Sequence, residues 1–462
     1  MSVYKPCDIR GPISELSPDL YGRWGRILGA GLPAGSEFVA GGDVRETTGT
    51  YLAALVEGLA QAGMRVVNLG VRPTPVVYFE KRRREAAGCA IVTASHSPPD
   101  MNGLKWMAGD RPPTERDVAT LEEAAARGAV EVRQRGDILP GDATAYEQWI
   151  TERWRGSDVS PDFYVILDPG NGCWSTTCLR LVRRAFPETM LSIIHDIPSG
   201  EFPERNPDCA RPEYLAELAE AVVEHGADLG VAFDGDGDRV AFVDCDGHVL
   251  SAEEATWVLM RTLDTGFQGR PFVYDIKFSD QMGAGAAQLG GVPMAERSGH
   301  AFIRTRMLDE GAAFGAEISG HYFYEELQGG DDGLFTACRM IAHVGTSGTT
   351  LADMRRSCPP IYMTPDLRVN VPADHPAFLE HVQKTFGDLP QTHVDGVRVE
   401  FPHGWALIRS SVTEHKLTVR FEGDSQDDLE GIVRDVCEGL PEIALEVCEE
   451  YLRAAPSTDL DA

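Results

Sequence analysis

Hydrophobic and polar positions follow two recurring patterns along most of this 462-residue chain. Short runs of Val, Ile, Leu and Phe predict buried strands, while longer segments with apolar residues three or four positions apart predict helices. In the first part of the chain the two kinds of segment alternate, with helices predicted over residues 18–29, 49–63, 75–85, 114–127 and 144–155. Strands that alternate with helices are typical of sheets covered by helices on both faces.

The same pattern begins three times. Each of three segments opens with a predicted strand that ends on an aspartate, at Asp43, Asp168 and Asp275, and each contains a later strand that runs into a polar loop. We therefore predict three related α/β domains with mixed sheets, spanning residues 1–156, 157–249 and 250–360.

The pattern changes after residue 360. Strands are predicted over residues 367–371, 396–401, 405–409 and 417–421, and helices over residues 376–386 and 425–440. The last three strands follow one another without a helix between them, which indicates an antiparallel sheet. Residues 361–462 are thus predicted to form a separate α+β domain, and the predicted fold class is α/β with four domains.

The charge of the chain restricts its partners. It has 42 Lys and Arg residues against 72 Asp and Glu residues, a formal net charge of −30. Nucleic acids and anionic membranes are bound by basic surfaces, so neither is expected as a partner. No apolar run is long enough to span a bilayer, and residues 1–20 lack the apolar core of a signal peptide. Ten dispersed cysteines without a Cys-x-x-Cys pair are typical of reduced thiols, and the predicted location is the cytoplasm.

The most specific chemical signal is the segment Asp234-Gly235-Asp236-Gly237-Asp238-Arg239, which follows a predicted buried strand. Hard divalent cations prefer oxygen ligands, and the glycines allow the three carboxylates to converge on one ion. A calcium loop of the EF-hand type does not fit, because Arg239 occupies the sixth position, where that loop needs Gly, and Cys245 occupies the twelfth, where it needs Glu. Asp234, Asp236 and Asp238 are therefore predicted metal ligands.

A second loop, residues 93–105, follows a predicted buried strand at residues 89–92 and is broken by two prolines. It contains a candidate nucleophile, Ser95, and two candidate proton carriers, His96 and Lys105. Taken alone, the segment fits an ordinary solvated turn equally well.

A third loop lies between two predicted strands of the C-terminal domain. Residues 409–415 offer the guanidinium of Arg409, the hydroxyls of Ser411 and Thr413, and backbone N–H groups, a donor set that suits phosphate. A plain polar hairpin has the same composition, so the loop alone leaves both interpretations open.

Together and in this order, these segments resemble the loops of the α-D-phosphohexomutase family, over essentially the whole chain. The family loops are Thr-Ala-Ser-His-Asn-Pro, Asp-Gly-Asp-Gly-Asp-Arg, Gly-Glu-x-Ser-Gly-His and Arg-x-Ser-x-Thr-Glu-Pro. This chain has Ser95 in the first, Arg239 at the end of the second, residues 317–321 in the third and Arg409 at the start of the fourth. Arg10, Lys277 and His300 also lie in matching segments.

The resemblance implies an isomerase that interconverts hexose 1-phosphate and hexose 6-phosphate, with mannose or glucose phosphates as substrates. It implies a phosphorylated Ser95, Mg²⁺ held by Ser95 and the three aspartates, and hexose 1,6-bisphosphate as intermediate and activator. The four domains would carry the phosphoserine, the metal, the sugar-recognition loop and the phosphate-binding loop, in that order, around a central cleft. A monomer or weak homo-oligomer is expected.

The resemblance also assigns roles to individual residues. The implied catalytic residues are Ser95, His96, Lys105, Arg10 and His321. The implied substrate-binding residues are Arg239, Lys277, His300, Glu317, Ser319, Arg409, Ser411 and Thr413.

Four positions depart from the family pattern. They are Cys7, where many relatives have an aromatic residue, Ser97 in place of Asn, Ala316 before Glu317, and His415 in place of Pro. Because no phosphoryl acceptor or metal ligand is lost, these changes bear on substrate preference. Three alternatives stay open: a phosphoglucosamine mutase of the same fold, a non-catalytic phosphosugar-binding protein, and a Mg²⁺ phosphatase with an aspartyl nucleophile.

Overall fold

The N-terminal domain is built on a six-stranded mixed sheet. The computed structural model describes residues 2–128, 133–370, 375–410 and 416–454. The strands are β1 (Ile9–Pro12), β2 (Glu37–Gly42), β3 (Arg65–Val71), β4 (Gly88–Val92), β5 (Met101–Ala108) and β6 (Ile138–Pro140), and the helices are α1 (Pro18–Ala30), α2 (Thr48–Gln61), α3 (Thr74–Arg83), α4 (Glu115–Arg127) and α5 (Thr144–Trp154). The strand order is β1-β5-β4-β2-β3-β6. β5 is antiparallel to both of its neighbours, and the other pairs are parallel.

The second and third domains have smaller mixed sheets. The second contains β7 (Tyr164–Asp168), α6 (Cys178–Ala185), β8 (Met190–Ile193), α7 (Ala216–His225), β9 (Leu229–Phe233) and β10 (Val240–Asp244). The third contains α8 (Ala252–Leu259), β11 (Pro271–Asp275), α9 (Asp280–Gln288), β12 (Val292–Glu296), α10 (His300–Glu310), β13 (Phe314–Ala316), β14 (Tyr322–Tyr324), β15 (Gly330–Asp331), α11 (Gly333–Ser347) and α12 (Leu351–Arg356). Their strand orders are β10-β9-β7-β8 and β12-β11-β13-β14-β15.

One topology is common to these three domains. Within each, four strands numbered by their sequence lie in the order 4-3-1-2: β5-β4-β2-β3, β10-β9-β7-β8 and β14-β13-β11-β12. Strand 4 is antiparallel to strand 3 in every case. The prediction of three related α/β domains with mixed sheets is therefore confirmed. The loop that contains Ser95, the aspartate loop of residues 234–239 and the loop of residues 317–321 each connect strand 3 to strand 4 of their domain.

The C-terminal domain has the predicted α+β character. Its elements are β16 (Tyr362–Met363), β17 (Leu367–Val369), α13 (His375–Thr385), β18 (Gln391–Thr392), β19 (Val397–Phe401), β20 (Gly404–Ser410), β21 (Leu417–Gly423), α14 (Gln426–Gly439) and α15 (Pro441–Ala454). The strands form an antiparallel sheet in the order β16-β21-β20-β19-β18, and β17 also pairs with β21. Apolar side chains of α14 and α15 cover the sheet and form a core separate from those of the other domains.

The predicted elements differ from the structure at a few places. The loop predicted over residues 93–105 is shorter than expected, because β5 begins at Met101 and places Lys105 on a strand. The helix over residues 425–440 is not the last element, since α15 follows it after one residue. Among the described residues, no helix combines the length and apolarity that crossing a bilayer requires.

Helix α5 joins the first domain to the second through a continuous apolar cluster. Its buried residues Tyr146, Ile150 and Trp154 pack with Trp174 of the second domain and Phe335 of the third. The N-terminal sheet has its own large cluster around Trp24. The position of the second and third domains is thus fixed by shared core packing.

The aspartate that ends the first strand of each repeat holds a turn. The carboxylates of Asp43, Asp168 and Asp275 each accept a hydrogen bond from the backbone N–H two residues later, at 3.0, 2.8 and 3.0 Å. Each also lies beside a basic side chain: Arg45 at 3.0 Å, Arg205 at 2.6 Å and Lys277 at 3.8 Å. The strand-then-aspartate pattern in the sequence therefore marks the same turn in all three domains, held by a carboxylate that lies beside a basic side chain.

In the first domain this aspartate turn fixes the serine loop, the segment of residues 93–101 that leads from β4 into β5. Both members of the Asp43–Arg45 pair are buried. The two terminal nitrogens of the Arg45 guanidinium donate to four backbone carbonyls, those of Ser95 at 2.9 Å, Ser97 at 2.5 Å, Pro98 at 2.6 Å and Met101 at 3.1 Å. One arginine thus satisfies three carbonyls of the turn between β4 and β5 and that of the first residue of β5.

We expect Arg45→Ala to destabilise this loop and the strands beside it. Removing one partner of a buried ion pair costs about 3–5 kcal/mol, because the other charge stays buried without compensation. Hydrogen–deuterium exchange of peptides covering residues 88–108 should become about 100-fold faster, the equivalent of about 3 kcal/mol. Arg23→Ala, which removes an exposed pair with Asp19, is the matched control. Equal exchange in the two variants would contradict the role given to Arg45.

Candidate active site

Ser95 lies at the base of the serine loop in a constrained conformation. Its φ of 52° falls in the left-handed region, which non-glycine residues seldom adopt. Its backbone N–H donates to Thr93 Oγ1 at 2.8 Å, and its Oγ donates to Asp234 Oδ2 at 3.0 Å. Strain of this kind persists where the surroundings hold it, and here it directs the hydroxyl into the second domain.

Three buried carboxylates meet that hydroxyl. The oxygens of Asp234, Asp236 and Asp238 lie within 4.8 Å of one another. Oδ1 of Asp236 and Oδ1 of Asp238 are buried and have no hydrogen-bond partner in the described part of the chain. Burial and the neighbouring carboxylates raise the pKa of Asp234 well above its usual value, a sign of crowded like charges. Unpaired oxygens that converge in this way fit a divalent cation with oxygen ligands.

Lys105 supplies a positive charge to this cluster from strand β5. Its Nζ donates to Asp236 Oδ2 at 2.8 Å and to Asp238 Oδ2 at 2.6 Å. Burial lowers the pKa of Lys105, but the nearby aspartates outweigh it, so the pKa is well above its usual value. Lys105 is therefore an ammonium group at neutral pH.

The aspartate loop is also held from the side opposite the cleft. Thr74 donates its hydroxyl to Asp236 Oδ2 at 2.7 Å and its N–H to Asp236 O at 2.9 Å. Trp174 Nε1 donates to Gly237 O at 2.9 Å. Gly237 has a φ of 79°, and a Cβ there would lie 2.4 Å from Trp174 Nε1, so no larger residue fits. Nothing in the sequence marks Thr74 as a partner of this loop, because it lies at the start of α3 in another domain.

A cleft of about 220 Å³ opens above the cluster. Its lining includes a side chain predicted as functional from each domain, among them Arg10 and His96 from the first, Arg239 from the second, His300, Glu317 and His321 from the third, and Arg409 from the fourth. Cys7 lines the same cleft. The structure therefore brings seven of the predicted residues to one surface, as the expectation of a central cleft required.

His96 stands between the cleft and Ser95. Its Nδ1 lies 3.4 Å from Ser95 Oγ. Burial lowers the pKa of His96 well below its usual value, and the positive charges of Arg239 and Arg10 lower it further. The imidazole is consequently neutral at pH 7. Arg10 faces the same loop, where its Nη1 donates to Ser97 Oγ at 3.4 Å.

Arg239 and His321 form a chain of hydrogen bonds across two domains. Arg239 Nε donates to His321 Nε2 at 2.9 Å, and His321 Nδ1 donates to Asp331 Oδ2 at 2.6 Å. Burial raises the pKa of Asp331, but the hydrogen bond from His321 and the nearby charges of His321, His300 and Lys105 together outweigh it, and the pKa falls to about 2. Both ring nitrogens of His321 are thus engaged by protein groups, and the chain fixes the direction of the Arg239 side chain. Asp331 was not predicted, because nothing in the sequence marks it as a partner of His321.

The loop between β13 and β14 presents polar atoms without protein partners. Glu317 Oε2, Ser319 Oγ and His300 Nε2 are buried and unpaired among the described residues. Burial lowers the pKa of His300 to about 3, and Lys105 and His321 act in the same direction. A carboxylate oxygen, a hydroxyl and a neutral imidazole are the groups that hydroxyl-rich ligands use for hydrogen bonding.

The predicted cations of the third and fourth domains are paired with carboxylates. Arg409 Nε lies 2.8 Å from Asp395 Oδ2. Lys277 Nζ lies 3.3 Å from Asp366 Oδ2 and outside the residues that line the cleft. Ser411 and Thr413 lie outside the described residues. Arg368, which the sequence did not single out, also lines the cleft.

The sequence matches all four domains of one family, described as Phosphoglucomutase/phosphomannomutase. The matches are alpha/beta/alpha domain I over residues 3–129, domain II over 146–247, domain III over 253–362 and the C-terminal domain over 367–439.

Individual relatives match over nearly the whole chain. The phosphomannomutase/phosphoglucomutase of Pseudomonas aeruginosa is 31% identical over 445 residues, which cover 93% of this chain and 94% of the relative. The phosphoglucomutase of Neisseria gonorrhoeae is 29% identical over 443 residues, covering 93% and 95%. A solved phosphoglucomutase/phosphomannomutase family protein from Burkholderia thailandensis is similar with a TM-score of 0.84 at 28% identity, covering 95% of this chain and 96% of its own.

Sequence, topology and site agree with one another. The strand-3 to strand-4 loops of three homologous domains supply the serine, the aspartates and the Glu317 loop, and the C-terminal domain closes the cleft. The chain therefore belongs to the phosphoglucomutase/phosphomannomutase family and is a phosphohexomutase, an isomerase that interconverts hexose phosphates.

Proposed function

We propose that Ser95 carries the phosphoryl group that is exchanged between the C1 and C6 hydroxyls of a hexose. The observation that carries this proposal is the 3.0 Å contact between Ser95 Oγ and Asp234 Oδ2 at the base of the cleft. A serine that holds a phosphoryl group can donate it to one hydroxyl of a sugar monophosphate and recover another from the bisphosphate. Hexose 1,6-bisphosphate is then both intermediate and activator.

Asp234, Asp236 and Asp238 would hold Mg²⁺ together with an oxygen at Ser95. The donor set consists only of oxygens, as Mg²⁺ prefers, and the unpaired Oδ1 atoms of Asp236 and Asp238 support the fit. When bound, the ion neutralises negative charge on the transferred phosphoryl group.

Lys105 and His96 are proposed to act on the reacting hydroxyl. Lys105 remains protonated beside Asp236 and Asp238, so its contribution is positive charge near the phosphoryl oxygens. His96 is neutral and within 3.4 Å of Ser95 Oγ, which places a proton acceptor near the transfer. Arg10 contacts Ser97 of the serine loop and adds a second positive charge near Ser95.

His321 is proposed to position Arg239. With Nδ1 donating to Asp331 and Nε2 accepting from Arg239, the ring has no free nitrogen for proton transfer in this arrangement. Arg239 is thereby presented to the cleft as a fixed donor for substrate oxygens.

Glu317 and Ser319 are proposed to read the sugar hydroxyls, with His300 beside them. A carboxylate oxygen and a hydroxyl can grip a pair of adjacent hydroxyls, and such a pair looks similar from either end of the sugar. The hexose can therefore bind with either C1 or C6 toward Ser95. The relatives named above support mannose and glucose phosphates as the substrates.

Arg409, with Ser411 and Thr413, is proposed to hold the phosphate that does not react. Arg409 is buried at the cleft wall and paired with Asp395, so its guanidinium is already oriented. Lys277 lies outside the cleft lining and is proposed to act indirectly, through its ion pair with Asp366 of the C-terminal domain. We further propose that the enzyme works in the cytoplasm as a monomer or weak oligomer.

A coupled assay with mannose 1-, glucose 1- and glucosamine 1-phosphate, each with trace hexose 1,6-bisphosphate, tests the substrate class. Turnover of mannose or glucose phosphate is expected. Turnover of glucosamine 1-phosphate alone would replace this proposal by the phosphoglucosamine mutase alternative, and bisphosphate-independent release of inorganic phosphate would indicate a phosphatase.

The active protein is expected to carry one phosphoryl group, on Ser95. Intact mass followed by peptide mapping measures it. Ser95→Ala should lose all turnover and should not be rescued by glucose 1,6-bisphosphate, whereas Ser347→Ala, at the exposed end of α11, should behave like the wild type. Full activity without a modified Ser95 and without bisphosphate would refute the proposal.

Asp236→Asn is expected to weaken Mg²⁺ binding and to lower kcat by about 100-fold or more, since a neutral amide is a poorer ligand for a hard cation and less charge is stabilised in transfer. A Mg²⁺ titration of turnover separates the two effects. Asp246→Asn, which alters an exposed carboxylate paired with Arg356, is the control. Wild-type turnover in Asp236→Asn would show that the aspartate loop is only a turn.

Arg409→Ala is expected to raise KM by about 10- to 100-fold, because a hydrogen bond to a charged group is worth about 1.5–3 kcal/mol. Less firmly held bisphosphate should also escape, so the variant should lose phosphoryl from Ser95 during turnover and recover with added glucose 1,6-bisphosphate. Arg434→Ala, an exposed arginine of the same domain, is the control. A wild-type KM with no added need for bisphosphate would exclude Arg409 from phosphate binding.

A further inference from the structure

The last two helices bring two cysteine thiols together. α14 and α15 form an antiparallel pair, and Cys437 Sγ of α14 lies 3.7 Å from Cys448 Sγ of α15. Cys437 also donates to Ala444 O at 3.8 Å, so its side chain points at α15. Cys448 is exposed and Cys437 is partly buried. One thiol is thus accessible to solvent and the second lies directly behind it.

The surroundings of the other cysteines differ. All ten cysteines lie within the described residues, and five of them, Cys89, Cys173, Cys178, Cys209 and Cys338, are buried beyond the reach of a dissolved reagent. Cys448 is the one exposed thiol of the chain. An accessible thiol next to a second thiol is the arrangement in which oxidation gives a disulfide instead of a higher oxide.

We propose that Cys437 and Cys448 are a redox modification site, which closes to an intramolecular disulfide in exchange with a small disulfide such as oxidised glutathione. The Cys448 thiolate attacks one sulfur of the small disulfide, forms a mixed disulfide and releases one thiolate. Cys437 then loses its proton and attacks the Cys448 sulfur, which displaces the second thiolate. Two protein thiols are oxidised, and one small disulfide is reduced to two thiols.

The order of attack follows from the two environments. Burial raises the pKa of the Cys437 thiol, and the adjacent Cys448 raises it further. Cys437 is therefore the poorer first nucleophile. Once Cys448 carries a mixed disulfide it is no longer a competing anion, and Cys437 already lies within contact distance of the sulfur that it must attack.

The bond would secure the end of the C-terminal domain. Ile443 and Val447 of α15 are part of that domain's core. Glu446 Oε2 accepts from the backbone N–H of Asn370 at 2.6 Å, just after β17. α15 thus closes one side of the sheet, and it is held there by few residues. A disulfide across a 12-residue loop restricts the opening of this helix and makes it about 100-fold rarer.

Catalysis should not depend on this bond at moderate temperature. Neither cysteine lines the cleft. The oxidised and reduced proteins are therefore expected to have equal kcat at 25 °C, and only the oxidised protein should resist opening of its last helix.

The test uses the full-length protein, equilibrated with oxidised glutathione or with dithiothreitol, alkylated, and examined by peptide mapping. The expected oxidised product is a 437–448 link that is two hydrogens lighter and that dithiothreitol reverses. Amide exchange of residues 441–453 should slow by about 100-fold in the linked form. Cys437→Ser should instead retain glutathione on Cys448, because the second thiol is missing, and its α15 exchange should not change on oxidation.

Cys245→Ser, which removes a partly exposed thiol of the second domain, is the control and should link normally. A lasting glutathione adduct on Cys448 of the wild type, or full alkylation of both cysteines after oxidation, would overturn the proposed link. A link that leaves α15 exchange unchanged would overturn its proposed effect. If Cys437→Ser perturbs packing, Cys448→Ser is the second variant to use, because it alters an exposed position. It cannot form the 437–448 link, so its α15 exchange should not change on oxidation.

Discussion

The crowding of three carboxylates in one buried turn is the constraint on which the rest of this structure depends. Asp234, Asp236 and Asp238 repel one another, and burial makes that repulsion more costly than it would be in water. The turn is stable only because other segments offset the charge: Lys105 donates to two of the aspartates, and Thr74 binds Asp236. Both partners belong to the first domain. The electrostatics of the aspartate turn therefore hold the first and second domains together at the place where Ser95 meets Asp234.

Equivalent loops of three homologous domains explain how the site is assembled. In each of these three domains the loop between strand 3 and strand 4 contributes a residue to the lining of the same cleft: His96, Arg239 and Glu317. The first supplies a hydroxyl, the second carboxylates, and the third the unpaired oxygens of Glu317 and Ser319. One architecture has thus been used three times with different side chains, which is why strands of ordinary composition can carry three unrelated chemical roles.

Sequence patterns predicted the repeated domains and their site loops well where each pattern lies within one contiguous segment. Buried strands, the aspartate turn and the serine loop are contiguous segments, and their periodicity or composition identifies them. Residues that become neighbours only when the chain folds are not marked by any local pattern in the sequence. Arg45 holds four carbonyls of the serine loop, and Asp331 orients His321, but each is an ordinary charged residue in its own segment. The strand β5 was missed for a different reason, because Pro98 and Pro99 before it and Gly103 within it resemble a continuing loop.

The same limit applies to the C-terminal domain. Strands β19, β20 and β21 are short and rich in apolar residues and were predicted at nearly the correct positions, whereas α15 was missed. Pro441 at its start looks like the end of the preceding helix rather than the beginning of another, although the apolar residues Ile443 and Val447 follow it. α14 already ends at Gly439, and proline is well tolerated in the first turn of a helix, so Pro441 begins α15 after a single intervening residue.

The cleft resolves the conflict between a chain of charge −30 and an anionic substrate by local pairing. Arg10 is paired with Asp8, and Arg409 with Asp395, so these cations are oriented before any substrate enters. A phosphate that binds either arginine must compete with its carboxylate partner for the positive charge, which lowers the net gain below that of a bare cationic site. In the proposed reaction a bisphosphate has to leave one set of contacts and turn around, and a smaller net gain per contact suits that step. The acidic partners of the cleft cations are then part of the design for turnover, since stronger binding would hold the intermediate in a single orientation.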